Sequence, residues 1–266
     1  MGFTSQLYPG ETIFDDATPA PDTPSGQSRG LIDLSLVRSR EGYAYTGIAK
    51  PFPKELLIPR NDWQAWIQEM EERKTRTSDL VKQAGLQCKN QQSTSYCWIN
   101  APVYCQEVKR VVQNQSLVVL SPASAGAQIK NFRNVGGWGR EGLEWLVEHG
   151  CCPVENWPAN AIDRRYATEE NKALALKYRV DEWYELQPRN LDEHVSALLR
   201  RIPCAVGLNY WGHEVSDEDA IWLDGEIAIR FRNSWGMVWG SEGYGVRQGN
   251  KRFADDIVDP ATVYAS

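Results

Sequence analysis

Asn233-Ser234-Trp235-Gly236, followed by Trp239-Gly240 and Gly243-Tyr244, is the most patterned stretch of this 266-residue chain. Eight identities at fixed spacing, each near about 5% background usage, arise by chance on the order of once in 10¹⁰ positions. Working outward, a second patterned stretch stands upstream. It is Gln91-Gln92-Ser93-Thr94-Ser95-Tyr96-Cys97-Trp98, with Lys89-Asn90 before it and an apolar, helix-compatible run behind it. His213 lies between the two.

Taken singly, each of these residues has an ordinary structural use: a buried cysteine, a satisfied histidine, a turn asparagine. Taken in the order Gln91, Cys97, His213, Asn233, with Gln six positions before Cys and Trp directly after it, they have another. The chain resembles the papain superfamily of cysteine peptidases, from roughly Lys89 to Tyr244. The resemblance implies an α+β, two-lobed fold, with a helical lobe packed against an antiparallel β-barrel-like lobe and the active-site cleft between them. It also implies a Cys97 thiolate, favoured by the N-terminal end of a helix and by His213 acting as proton holder. Asn233 would orient the imidazole, Trp235 would screen that bond from water, and Gln91 would join the Cys97 backbone N–H in an oxyanion hole. The catalytic set is then Cys97, His213, Asn233 and Gln91. Gly136, Gly137, Glu214 and Trp235 are the candidate substrate-binding residues, the glycine pair lying where family members pair backbone with a bound peptide. The reaction implied is peptide-bond hydrolysis, and the partner a peptide or protein substrate. A glutaminyl-type acyl transfer through the same thiol stays open, because only the resolving nucleophile differs.

Composition restricts other functions. Net charge is −6 with both signs interspersed and no long basic block, so nucleic acid and anionic membranes are not expected partners. No stretch has the length of a membrane span, and Met1-Gly2-Phe3-Thr4-Ser5 lacks a secretory pattern, which places the chain in a cytosol. Six cysteines are present, yet Thr94 and Val135 or Asn134 stand where secreted relatives carry a bridge, so that disulfide is not expected. Cys151-Cys152 lacks the spacing of a zinc site, and neither a metal nor a cofactor is called for.

Residues 1–60 are rich in turn formers and read as an extended arm. Asn61 as N-cap, with Gln64 in capping-box position, opens a helix carrying a Trp63, Trp66, Ile67 and Met70 stripe. The organisation expected is an arm with a short amphipathic helix over 1–75, then a peptidase domain over 76–266, its helical lobe about 85–185 and its sheet lobe about 186–266. Helices are expected from Trp98 to about Gln113, with a kink at Pro102, from Arg140 to His149 with Gly150 as cap, and from about Leu191 to Arg201 behind Asn190 and Glu193. Strands are expected over Cys204–Tyr210 and Ala220–Arg232, the latter turning at Asp224-Gly225. Arg200-Arg201 reads as a solvated helix end. His149, His194, Trp98 and Tyr244 are assigned to structure.

Departures from the family pattern follow His213. Glu214 stands where a small pocket-lining residue is usual, so it either favours a basic substrate side chain or narrows the pocket. Val215-Ser216-Asp217-Glu218-Asp219 replaces an apolar strand, so either the strand is interrupted or its carboxylates are buried with partners. Tyr96 replaces a small residue and could crowd the cleft. Gly136-Gly137-Trp138-Gly139, Trp211-Gly212-His213 and Arg232-Asn233-Ser234-Trp235-Gly236 together resemble papain-like proteins of bacteriophages and prophages. That narrower resemblance implies an infected bacterium or a virion, with phage structural proteins as partners of the arm. Its alternative function is a virion-associated structural or binding protein on a papain-like scaffold.

Overall fold

Asp224 and Gly225 take φ of 50° and 84°, the backbone an Asp-Gly hairpin needs. The structure, a computed structural model, describes residues 2–34 and 49–264. In chain order its main elements are β1 (Thr12–Phe14), β2 (Lys50–Pro51), α1 (Arg60–Glu72), α2 (Thr77–Ala84), α3 (Cys97–Val112), α4 (Pro122–Ile129), α5 (Gly139–Glu148), α6 (Glu169–Ala175), β3 (Val180–Glu185), α7 (Leu191–Leu199), β4 (Cys204–Leu208), β5 (His213–Leu223), β6 (Glu226–Arg232), β7 (Tyr244–Arg247) and β8 (Asp256–Val263). The strands form one open eight-stranded sheet of order β1-β7-β6-β5-β4-β8-β3-β2. Its interior pairings are antiparallel, and the two edge strands, both from the first 51 residues, pair in parallel. The described residues of this N-terminal region thus supply both edge strands of the sheet and send Phe14 into the core.

Helix α3 is the joint between the two halves. Trp98, Ile99 and Val103 pack with Leu143 and Leu146 of α5 on one side and with Ala205 and Val258 of the sheet on the other. The helix runs on through Pro102 to Val112, and all six cysteines of the chain are free and buried. Helix α7 begins at Asn190, whose side chain accepts from the Asp192 and Glu193 amides. Glu193 accepts from the Gln187 amide, three residues before the cap, in place of the Asn190 amide that a capping box would use.

Several expectations are corrected. Helix α1 starts after Pro59, so Asn61 lies inside it and caps nothing; Trp63, Ile67 and Met70 are buried, whereas Trp66 faces outward. Strand β4 stops at Leu208. Arg200 and Arg201 are tethers, not a solvated end, donating to the Leu56 and Thr75 carbonyls at 2.6 Å each. Strand β5 is unbroken through the acidic run. Asp217 meets Arg247 and lies 3.0 Å from His194; Glu218 accepts from the Tyr104 and Tyr244 hydroxyls at 2.8 and 2.9 Å; Asp219 meets Ser78 and Arg230. Buried carboxylates are tolerable on those terms, since each desolvated charge keeps hydrogen bonds. No helix among the described residues is long and apolar enough to cross a membrane.

Candidate active site

The two patterned stretches of the sequence are joined directly. Asn90 and Trp235 form an antiparallel bridge, the Gln91 amide donates to the Ser234 carbonyl at 2.8 Å, and the Gly236 amide donates to Lys89 at 2.9 Å. Asn233 leaves the end of β6 with its amide held by the Gly243 carbonyl at 2.9 Å. That contact explains the downstream glycine: Gly243 has φ of 91°, and a Cβ there would stand 2.7 Å from the Cys88 sulfur.

His213 begins β5, and its Nε2 donates to Asn233 Oδ1 at 2.8 Å. The other ring nitrogen, Nδ1, is then the lone-pair nitrogen, and it is buried without a hydrogen bond. The rings of Trp235 and Trp211 lie 4.6 and 4.8 Å from the imidazole, shielding the His213–Asn233 bond. Cys97 is the first residue of α3, where unpaired backbone N–H groups favour an anion. Its sulfur faces the backbone of Glu214, the residue after His213. Tyr96 turns away from the cleft, packing on Gly126 and donating to the Arg133 carbonyl at 2.9 Å.

The cleft is filled by the arm. The Gly137 amide donates to the Gly30 carbonyl at 2.9 Å and the Ile32 amide to the Gly137 carbonyl at 3.0 Å, a parallel bridge centred on Leu31 and Gly137. Gly30 itself faces the Cys97 sulfur. The Ser28 carbonyl takes two donors at once, Gln91 Nε2 at 3.1 Å and Trp235 Nε1 at 3.0 Å. The remaining Gln91 N–H goes to Thr94, and its oxygen accepts from Ser234, so the side chain is fixed on both ends. The glycine pair divides its labour: Gly137 pairs with the arm, while Gly136 leaves space for the Gly30 carbonyl, which a Cβ would approach to 2.5 Å.

Burial sets the charge state of this closed arrangement. Desolvation pushes the Cys97 thiol up to about 12, with the Glu214 charge adding to it, and pushes His213 down to about 3. On those terms both groups are neutral in the closed arrangement.

No family model and no curated protein matches this sequence. Solved structures do. Xylellain, a cysteine protease from Xylella fastidiosa, superposes with a TM-score of 0.61 at 18% identity over 90% of this chain and 97% of that one. The fold is papain-like. The digestive procathepsin L 3 of the Tenebrio molitor larval midgut matches with a TM-score of 0.58 at 18% identity over 66% of each chain, so the papain-like match spans just under two thirds of that proform. A cysteine protease from Carica candamarcensis in complex with E-64 matches at 0.54 and 19%, over 68% of this chain and 96% of that one.

The sequence left open whether the arm inhibits, and did not single out the residues that seat it, although Gly30 is a glycine set among Ser28-Arg29 and Leu31-Ile32. Arg29 was also missed. It donates to the Trp211 and Pro21 carbonyls at 2.9 and 2.8 Å, tying the arm to the wall that carries His213.

Proposed function

We propose that the protein is a thiol peptidase whose described conformation is latent. The observation that carries the reading is the His213 Nε2–Asn233 Oδ1 bond at 2.8 Å, sheltered by two indoles, on a papain-like fold that starts a helix at Cys97. With the arm out of the cleft, water and the helix end would lower the thiol, and Nδ1 of His213 would take its proton. The thiolate would attack a peptide carbonyl. Its developing oxyanion would find the Gln91 N–H that Ser28 now occupies, together with the Cys97 amide. His213 would protonate the leaving amine and later activate water against the acyl-enzyme, closing the cycle. Asn233 holds the ring through both steps.

A second reading, a binding protein on the same scaffold, is favoured by the filled cleft and the neutral thiol. Phage structural proteins would then be the arm's partners. One experiment separates the two. Gly30→Ala protein is treated with E-64 and digested for mass spectrometry, and its hydrolysis of short peptides is compared with that of Gly30→Ala/Cys97→Ala. The peptidase reading expects adduct at Cys97 alone and turnover lost with the thiol. A folded Gly30→Ala protein whose Cys97 is opened to iodoacetamide, yet which takes no E-64 and hydrolyses nothing, would establish the scaffold instead.

A further inference from the structure

Residues 130–138 connect α4 to α5 and run beside the loop that enters α3 at Cys97. All six cysteines are free, so no disulfide joins the two segments. Hydrogen bonds do. Asn134 uses both ends of its carboxamide on that loop: Oδ1 accepts from the Ser95 amide at 2.6 Å, and Nδ2 donates to the Ser93 carbonyl at 3.2 Å. On either side of it, the Tyr96 hydroxyl donates to the Arg133 carbonyl at 2.9 Å and the Trp98 indole N–H to the Val135 carbonyl at 3.4 Å. Every one of these bonds uses a side chain.

The chain accepts local strain to make this approach. Asn131 and Phe132 take φ of 49° and 59° in succession, a left-handed pair that an aromatic residue rarely adopts. Other elements hold it there: the Phe132 amide donates to the Ala127 carbonyl at 2.6 Å, and Arg164 donates to Asn131 Oδ1 at 2.8 Å with its guanidinium 4.2 Å from the Phe132 ring. Strain that the surroundings hold beside a reacting group points to a use. The far end of the segment is fixed as well. Glu141 accepts from the Trp138 amide at 3.2 Å, Lys130 donates to both Glu141 oxygens at 2.7 Å, and a Cβ on Gly137 would stand 2.5 Å from the Trp98 indole. Gly137 is thus set against the residue after Cys97, and Asn134 against the residues before it.

We propose that Asn134 is a positioning residue of the active site, a carboxamide clasp that sets Cys97 and its backbone N–H relative to the peptide-pairing Gly137. The inference rests on the peptidase reading and adds a residue to it. Asn134 is exposed, so water takes over its hydrogen bonds when the side chain is removed, and the fold loses little. What the clasp supplies is geometry: a nucleophile and an oxyanion donor displaced by about 1 Å lose on the order of 10²-fold in rate.

The test compares full-length Gly30→Ala protein with Gly30→Ala/Asn134→Ala and Gly30→Ala/Asn134→Asp on a short fluorogenic peptide. Asn134→Ala is expected to lower kcat by at least about tenfold with KM within about twofold, and Asn134→Asp, which keeps the acceptor for the Ser95 amide, to recover part of the loss. Urea midpoints of the three proteins should agree, so that the loss in kcat is not a loss of fold. A kcat within about twofold of Gly30→Ala, or a loss matched by a falling midpoint, overturns the proposal. The pH profile of Cys97 alkylation by iodoacetamide supplies a readout free of turnover. With Asn134→Ala its half-maximal pH is expected to rise by about one unit, because a displaced thiolate loses the imidazolium and the helix end together. A shifted profile without hydrolysis in Gly30→Ala removes the peptidase reading and keeps the clasp. Hydrolysis with kcat and profile both indifferent to Asn134→Ala does the reverse.

Discussion

Gly30 and Ser95 meet with no room for a side chain: a Cβ on Gly30 would stand 2.0 Å from the Ser95 carbonyl oxygen, and backbone atoms surround the contact. One methyl group at residue 30 is therefore incompatible with the seated arm, whereas the anchors on either side, Phe14 in the core and β2 at the sheet edge, do not depend on it. Gly30→Ala is expected to raise the alkylation rate of Cys97 by at least about tenfold over wild type, an opening shift of about 1.4 kcal/mol. Timed iodoacetamide labelling read by mass spectrometry measures it. Equal rates would mean that the arm adapts around the methyl.

Closure ties two sites of the cleft to pH in different ways. Around Cys97 and His213 it holds a thiol and a neutral imidazole, the ring pushed down to about 3 by burial, and opening would pass the thiol's proton to the ring; the pair carries one proton in both states, so opening takes up none there between pH 6.5 and 4.5. Glu214 is held well above 4.5 by burial, so closure is at full strength below pH 4.5 and weakens as pH rises, when an opened site would release a proton. The ratio of the wild-type Cys97 labelling rate to that of Gly30→Ala should therefore climb from pH 4.5 to 6.5, and in Glu214→Gln it should stay flat. A flat ratio in wild type would show that Glu214 is not tied to the arm.

Asn233 gives the His213 ring its only hydrogen bond among the described residues. In opened protein, Asn233→Ala is expected to lower kcat by on the order of 10- to 100-fold while KM stays within about twofold, because ring orientation matters after binding. Asn233→Asp, which keeps the acceptor, should recover part of the loss. A KM effect instead would assign Asn233 to the peptide groove.

Glu11 and Arg230 form a buried ion pair at 2.6 Å that fastens the arm to β6, with the Arg230 guanidinium also taking the Gln6 carbonyl at 3.0 Å. Removing one partner leaves a desolvated charge, so Glu11→Ala should destabilise the fold by about 3–5 kcal/mol in urea denaturation, and Glu11→Ala/Arg230→Met should recover much of it. For the same reason, deleting the arm is a poor way to open the cleft. An unchanged midpoint for Glu11→Ala would show that the arm is not part of the cooperative unit.

The parts of this molecule legible in sequence are those whose causes are local. Asp224-Gly225 must turn because only those residue types accept both positive φ values, and Asn190 must cap because its side chain reaches amides two and three residues on. The Cys97 helix and the His213–Asn233 spacing were legible as pattern. What remained hidden depends on distant partners. The acidic run of β5 looks unfavourable until Arg247, Tyr104 and Tyr244 arrive from other elements, between 26 and 114 residues away. The arm's composition announces extension, but its place over Cys97 depends on a parallel pairing with Gly137 more than 100 residues on, and nothing local encodes that. Asn61 failed as a cap because Pro59, two residues earlier, already offers a suitable helix entry.

The arm is held at both edges of one sheet, by β1 beside β7 and by β2 beside β3. The segment between these anchors acts on its cleft as a tethered ligand, at an effective concentration on the order of millimolar that dilution leaves unchanged. A soluble competitor must match that figure before it gains entry, so weak peptides pass unnoticed and only tight or covalent ones register. A single cut between the anchors would leave the seated residues held from one side only, with both strands in place. The protein would then keep its mass on a sizing column, and only denaturing electrophoresis would show that anything had changed.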